Sequence, residues 1–253
     1  MIKKIIRIVK DFKNIIFNIF KFKTYSIMYD PEYSEDGLIT WHINSFTKNK
    51  LFKSAYQTAF NRRSWKHDNK WRMHVALWAS DQVKNIEGDF VECGVNRGGM
   101  AAGIIEYIKF EKLNKKFYLF DTYQGIPVKT ITDEEKKDGI NVKDYGDVYD
   151  EVKAYFNKFN NVEVIKGEVP SILSKFILGK ICFLSLDMNV PNVEIKTLEL
   201  LWDKIVKNGI ILMDDYCYSK KYRLTQKLFD DFTENKNIKI LQLPTGQGLI
   251  IKK

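Results

Sequence analysis

Three carboxylates stand where apolar runs end: Asp187 after Ile181–Leu186, and the pair Asp214-Asp215 after Ile210–Met213. If these runs are neighbouring strands of a parallel sheet, about 5 Å apart, the carboxylates share one small volume. Charges so close repel, and each raises the pKa of the others. A divalent cation removes that penalty, and a site of oxygen ligands alone suits Mg²⁺, Mn²⁺ or Ca²⁺ rather than zinc. The spacing also permits a plainer reading, in which Asp187 sits beside a ligand amine while Asp214 and Asp215 cap the next helix. Histidines offer a rival base, but His42, His67 and His74 all precede the first strand of the alternating pattern.

A second group surrounds glycines. Glu92-Cys93-Gly94 closes the run from Phe90 and leads into Arg97-Gly98-Gly99. Glycine lets the backbone turn sharply and approach a ligand, and the helix that follows offers free N–H groups. The dinucleotide spacing is absent, so an adenosyl ligand bearing an amino-acid carboxylate fits these N–H groups better than a pyrophosphate. A purely structural strand-to-helix turn remains the alternative. Asp121, 27 residues beyond Gly94, ends the next strand where a ribose diol is held, or else caps a turn; Thr122 follows it. Gly167-Glu168, after the third strand, is the natural turn on the adenine side.

The elements that must position these residues alternate. A helix over Trp71–Ile86 precedes strands at Phe90–Cys93, Phe117–Phe120, Val162–Ile165, Ile181–Leu186 and Ile210–Met213. Helices fall to about Lys109, from about Asn192 to Val206, and from about Lys220 to Glu234, before strands at Ile238–Leu241 and Gly248–Ile251. This is an α/β pattern, predicting a doubly wound, Rossmann-like sheet of about seven mostly parallel strands with an antiparallel C-terminal strand. Residues 122–150 are too long for a tight connection and read as a lid, with a helix at Asp133–Lys137 started by a Thr132/Glu135 capping box. Residues 24–70 read as a cap of short helices, and residues 71–253 as the ligand-binding domain.

Composition narrows the remainder. With 253 residues and 45% hydrophobic content the chain buries a full core. Cys93, Cys182 and Cys217 are scattered, so neither a disulfide framework nor a zinc site is indicated, and a reducing cytoplasm fits. Much of the +9 charge belongs to residues 1–23, where Lys3, Lys4, Arg7, Lys10, Lys13, Lys21 and Lys23 face Asp11 alone. A body nearer neutrality argues against nucleic acid as a partner. The arm itself reads as a basic amphipathic helix, neither a secretory signal nor a spanning helix. It packs on the body or on a second subunit of a homo-oligomer, or attaches peripherally to the inner membrane.

Over residues 70–253 the chain resembles the macrocin O-methyltransferase family. The likeness is carried by Phe90–Val95 with Arg97-Gly98-Gly99, by Leu119–Tyr123 with Gly125-Ile126-Pro127, and by Leu186-Asp187 with Asp214-Asp215-Tyr216. It implies a class I methyltransferase fold and a reaction dependent on S-adenosylmethionine and Mg²⁺. Cofactor contacts would come from Glu92, Gly94, Arg97, Gly98, Gly99, Asp121, Thr122, Gly167, Glu168 and Asp187. Asp187, Asp214 and Asp215 would hold the metal, and Asp187 would also take the proton. The acceptor would be a small molecule or sugar with vicinal hydroxyls, such as a nucleotide-linked or surface-polysaccharide sugar, approached by Tyr123, Asn189 and Tyr216. A catechol-like diol needs the same geometry, and a non-catalytic, membrane-attached cofactor-binding scaffold is the alternative from another class. The family's Asp-x-Asp-Leu-Tyr run is here Asp187-Met188-Asn189-Val190-Pro191, one carboxylate and one aromatic fewer, and Asn96 replaces a frequent tryptophan.

Overall fold

The computed structural model describes Ile8, Asp11 and residues 31–63, 67–141 and 146–253. Apart from Ile8 and Asp11, the expected arm over 1–23 lies outside the described residues. Contacts divide the chain, and the larger compact unit comprises Glu35–Leu38 with Asn44–Lys253. Apart from the strand ends of one hairpin, everything below concerns that unit.

The expected helical cap is only partly helical. A hairpin, β1 (Tyr33–Glu35) and β2 (Leu38–Thr40), precedes helix α1 (Lys50–Asn61). Asp36 and Gly37 both adopt positive φ, +51° and +73°, the combination that two-residue hairpin turns need. Helix α1 starts where Asn49 accepts the backbone N–H groups of Leu51 and Phe52.

Seven strands form the main sheet in the order β5-β4-β3-β6-β7-β9-β8. They are β3 (Asp89–Cys93), β4 (Phe117–Asp121), β5 (Val162–Lys166), β6 (Ile181–Leu186), β7 (Ile205–Met213), β8 (Leu241–Gln242) and β9 (Gly248–Ile251). The first five in this order are parallel, and β9 runs antiparallel to both β7 and β8. The order turns back between β3 and β6, and a crevice opens at such a point beyond the carboxyl ends of the strands. Register then fixes what meets there. Cys93 pairs with Phe120 and Leu186, and Leu186 with Met213, so Gly94, Asp121, Asp187 and Asp214 leave the sheet side by side.

Successive side chains of each strand point to opposite faces, and both faces are covered. Phe90, Phe117, Leu119 and Phe183 pack towards α2 (Lys70–Val83), α3 (Gly99–Ile108) and α5 (Tyr149–Phe156). Val91, Phe120, Leu184 and Ile211 pack towards α6 (Pro191–Leu201) and α7 (Arg223–Asn235). Helix α6 ends earlier than the sequence suggests, because Ile205 and Val206 already belong to β7. Strand β7 starts at Ile205, ahead of the expected Ile210, and carries Asn208, at φ +63°, and Gly209 inside it, while β8 is shorter and later than expected. The Thr132/Glu135 capping box opens α4 (Asp133–Lys137) as predicted. Among the described residues, no helix is long and apolar enough to cross a membrane.

Candidate active site

The strand ends are stitched together by hydrogen bonds that continue the sheet ladder one residue further. Gly94 N–H donates to Phe120 O (2.9 Å), Asp187 N–H to Cys93 O (2.9 Å) and Asp214 N–H to Leu186 O (2.9 Å). The resulting crevice holds about 750 Å³, counting its open mouth, within the range usual for small-molecule sites. Gly94, Asn96, Asp121, Gly167, Glu168 and Asp187 are among its lining, and lid residues Ile126, Pro127 and Thr130 contribute a wall.

The glycine loop owes its shape to two partners. Gly94 has φ +91°, and a Cβ there would stand 2.0 Å from the Asp187 carbonyl oxygen, so no other residue fits. Asp121 holds the next two residues: its Oδ2 accepts Val95 N–H (2.6 Å) and Asn96 N–H (2.7 Å), while Oδ1 accepts Tyr123 N–H (2.7 Å). Asp121 therefore orders the loop as well as facing the crevice. Behind it, the Glu92 carboxyl is wholly buried and is pushed well above the usual carboxylate range by burial, Asp121 and Asp214. Its Oε2 has no hydrogen-bond partner, a polar atom left for a ligand to satisfy.

The turn after β6 is built around Asp187. Asn189 takes φ +60°, donates from Nδ2 to Asp187 Oδ1 (3.0 Å) and accepts the Tyr222 hydroxyl on Oδ1 (2.8 Å). Glu194, one turn into α6, accepts both Met188 N–H and Asn189 N–H (2.9 Å each). Burial, with Asp215 nearby, pushes its carboxyl up to about 8. The Asp187 carboxyl lies well above the carboxylate range through burial, with Asp214 and Asp215 adding repulsion. The three aspartates thus sense one another, as their spacing implied.

They also have a partner that the spacing did not reveal. The buried Arg72 guanidinium, from the first turn of α2, donates through Nη1 to the Asp214 carbonyl (3.0 Å) and pairs with Asp214 Oδ2. Its Nη2 lies 3.5 Å from Asp215 Oδ1 and its Nε 2.9 Å from Asp36 Oδ2, the latter an ion pair without good N–H alignment. Burial alone would favour loss of its proton, but Asp214, Asp215 and Asp36 hold the charge more firmly than usual. Gln247 Nε2 donates to Asp214 Oδ1 (2.8 Å). Among the described residues, no group of three His, Cys, Asp or Glu side chains is arranged so that it could hold a metal ion.

The other expected positions are distributed as follows. Thr122, Tyr123 and Asn189 line the crevice. Arg97 is turned outward and pairs with Glu151 (2.5 Å), and Gly98 and Gly99 start α3. Tyr216 is buried, its hydroxyl bonded to Asp230, with its ring beneath Gly248. His74 stacks on Phe46 at 4.0 Å between ring centres, and burial lowers its pKa. Arg72 and Glu194 went unread, although each is a charged residue in line with buried apolar ones, Arg72 with Met73, Ala76 and Val83, Glu194 with Pro191, Ile195 and Leu198.

Residues 70–242 match the family model described as Macrocin-O-methyltransferase (TylF). The chain belongs to that family. It is thereby an O-methyltransferase, and its fold recurs in solved members of the wider group. The O-methyltransferase NovP is 18% identical with TM-score 0.62, over 72% of this chain and 79% of that one. The calicheamicin methyltransferase CalS11 is 12% identical with TM-score 0.61, over 90% of this chain and 99% of that one. A third, the methyltransferase PaMTH1 of Podospora anserina bound to SAH, is 14% identical with TM-score 0.52, over 81% and 88%. None of the curated proteins compared matches the chain in sequence.

Proposed function

We propose that this O-methyltransferase moves a methyl group from S-adenosylmethionine to a sugar hydroxyl, at the crevice where the glycine loop meets the carboxylates of Asp187, Asp214 and Asp215. The observation that carries the reading is the contact of Gly94 with the Asp187 backbone, which joins the glycine loop to the carboxylate cluster at one residue. The family and the structural neighbours support the sugar, since CalS11 is a TDP-rhamnose 3'-O-methyltransferase.

The residues present fit the cofactor but not, as they are arranged, a metal ion. For the cofactor there are the glycine loop with its N–H groups fixed by Asp121, the orphan oxygen of Glu92, and the turn at Gly167-Glu168. For a cation Asp187, Asp214 and Asp215 offer oxygen donors of the right kind, but among the described residues no three acidic side chains are arranged to hold one, and Arg72 and Gln247 already engage Asp214. The sulfonium would supply an electrophilic methyl group, and the crevice walls would orient it.

In this reading Asp187 receives the hydroxyl proton, although burial and its acidic neighbours favour its protonated form. The Arg72 guanidinium, which pairs with Asp214 and Asp215, is the positive charge that opposes this protonation. Asn189 keeps the Asp187 carboxylate oriented, and Glu194 keeps Asn189 in its left-handed turn. The lid residues Ile126 and Ile131 pack with Val190 and Tyr222 into a small apolar cluster beside this turn, which excludes water from the proton's path.

Methyl transfer from labelled S-adenosylmethionine to nucleotide-linked deoxysugars and polysaccharide fragments is the direct test. Turnover that stops with EDTA and returns with Mg²⁺ or Mn²⁺ would show that the aspartates rearrange to hold a cation. Undiminished turnover in EDTA, or from Asp187→Asn and Asp214→Asn variants, would remove the metal from the mechanism.

A further inference from the structure

The cofactor loop has a second holder, in the segment that precedes α2. Asp121 fixes Val95 and Asn96 by their N–H groups, and the carbonyl of the next residue, Arg97, accepts the Nε–H of Arg62 (3.0 Å). Arg97 stands between Asn96 at φ +52° and Gly98 at φ +78°. A left-handed residue with a side chain is costly, and such a backbone keeps its shape only where its surroundings hold it.

Arg62 caps the C-terminal end of α1, and that helix lies directly on α3, which follows the loop. A Cβ on Gly103 of α3 would stand 3.2 Å from the Ala59 Cβ and 3.3 Å from the Ala55 carbonyl oxygen of α1. The Arg62 guanidinium covers the Tyr155 ring of α5 at 3.9 Å from its centre and pairs with Glu151 Oε1 at 3.4 Å. Tyr155 meets Phe156 edge-on at 4.9 Å, and the Phe156 ring fills the space beside Gly98, where a Cβ would stand 2.5 Å from it. Arg62 thus ties the end of α1, the loop and α5 together. Its pair with the half-exposed Glu151 contributes little, so the bond to the Arg97 carbonyl is the contact that bears on the crevice.

We propose that Arg62 is a positioning residue for S-adenosylmethionine, holding the Arg97 peptide so that the loop stays in the form that receives the cofactor, and that α1 thereby contributes to cofactor affinity. This rests on the cofactor reading above and on no ion. A guanidinium suits the task because one planar group donates through Nε to the carbonyl while its face rests on an aromatic ring.

Binding of S-adenosylhomocysteine to the full-length protein, measured by calorimetry, tests this with two variants. Arg62→Met keeps the aliphatic stem and removes every donor. Arg62→Gln puts an amide N–H where Nε stood and removes only the charge and the outer nitrogens. Arg62→Met should weaken binding about tenfold, as expected for one charge-assisted hydrogen bond, and Arg62→Gln should stay within about threefold of the wild type. A role confined to packing α1 on α5 would affect both variants alike, because both lose the cation over Tyr155 and the pair with Glu151. Equal weakening in the two variants, or wild-type affinity in both, therefore overturns the proposal. If Arg62→Met does not fold, Arg62→Ala takes its place in the same comparison. A wild-type protein that binds no S-adenosylhomocysteine at millimolar concentration sinks the cofactor reading itself, and this inference with it, whereas wild-type binding with unmoved variants removes only the role of Arg62.

Discussion

The Asp187 carbonyl oxygen lies where a side chain on Gly94 would begin, 2.0 Å from an added Cβ. Cofactor loop and carboxylate turn are thus in backbone contact, and neither can shift without the other. Gly94→Ala adds that Cβ in a backbone region, φ +91°, that side chains rarely adopt. The variant should lose about 2 kcal/mol or more of stability. Its affinity for S-adenosylhomocysteine should fall by at least about 30-fold, because a loop displaced by a Cβ costs more than one hydrogen bond. Thermal unfolding and calorimetry check this; wild-type affinity in the variant would show that the two segments move independently.

Glu194 sets a pH dependence. Its carboxyl is wholly buried and titrates near 8, against 4.5 for an exposed glutamate. The folded pKa is raised, so the stabilising contribution is complete below about pH 4.5 and is lost as pH rises through about 8. The shift corresponds to an order of 4 to 5 kcal/mol at its limit. Glu194→Gln keeps an oxygen for the Met188 and Asn189 N–H groups without an ionisable proton. Its melting temperature should change less between pH 5 and pH 9 than that of the wild type, and exceed it at pH 9. Parallel curves for the two proteins would mean that Glu194 does not carry the dependence.

Much of the fold and the main row of the site were readable in the chain, for a physical reason. Parallel strands buried on both faces leave unbroken apolar runs, and polar residues at their ends mark the crevice edge: Gly94, Asp121, Asp187 and Asp214. What was not readable depends on residues distant in sequence. Arg72 precedes Asp214 by 142 positions, and its pairing needs the packing of α2 against the sheet. Tyr216 could not be told from a site residue, since only the approach of Gly248 over its ring shows that it faces the core. The early start of β7 at Ile205 was hidden as well, because Asn208-Gly209 interrupts its apolar run before Ile210.

Asn189 stands in place of a carboxylate in the family pattern, between Asp187 Oδ1 and the Tyr222 hydroxyl. Asn189→Asp exchanges an N–H donor to Asp187 for a like charge. Without added metal the variant should be less stable than the wild type by about 1 to 2 kcal/mol, because a half-buried donor is replaced by repulsion. Saturating Mg²⁺ should recover most of that difference, since a further oxygen ligand favours the cation. Thermal shifts in EDTA and in Mg²⁺ measure it. Equal destabilisation under both conditions would place Asn189 outside the reach of any ion held by Asp187.

The lid is fastened by one side chain with two tasks. Glu135 Oε2 accepts Thr132 N–H (2.7 Å) and its hydroxyl (2.8 Å), closing the capping box of α4. Its Oε1 accepts Asn192 N–H (2.9 Å) and Nδ2 (3.0 Å) at the start of α6, directly after the Asp187 turn. One buried carboxylate therefore caps two helix starts, and each start lies against the crevice. Glu135→Ala removes both caps, at about 1 kcal/mol each, but leaves the apolar contacts of Ile126, Ile131 and Ile140 with Val190 and Tyr222. The domain should stay folded while residues 122–140 open more often. Limited proteolysis should cut that segment at least about tenfold faster than in the wild type, and KM for the cofactor should rise with a smaller change in kcat. A saturating concentration of S-adenosylhomocysteine should restore protection, because the ligand beneath the lid replaces the contact that Glu135 made. Cutting that stays slow in the variant would show that the apolar cluster holds the lid without the carboxylate.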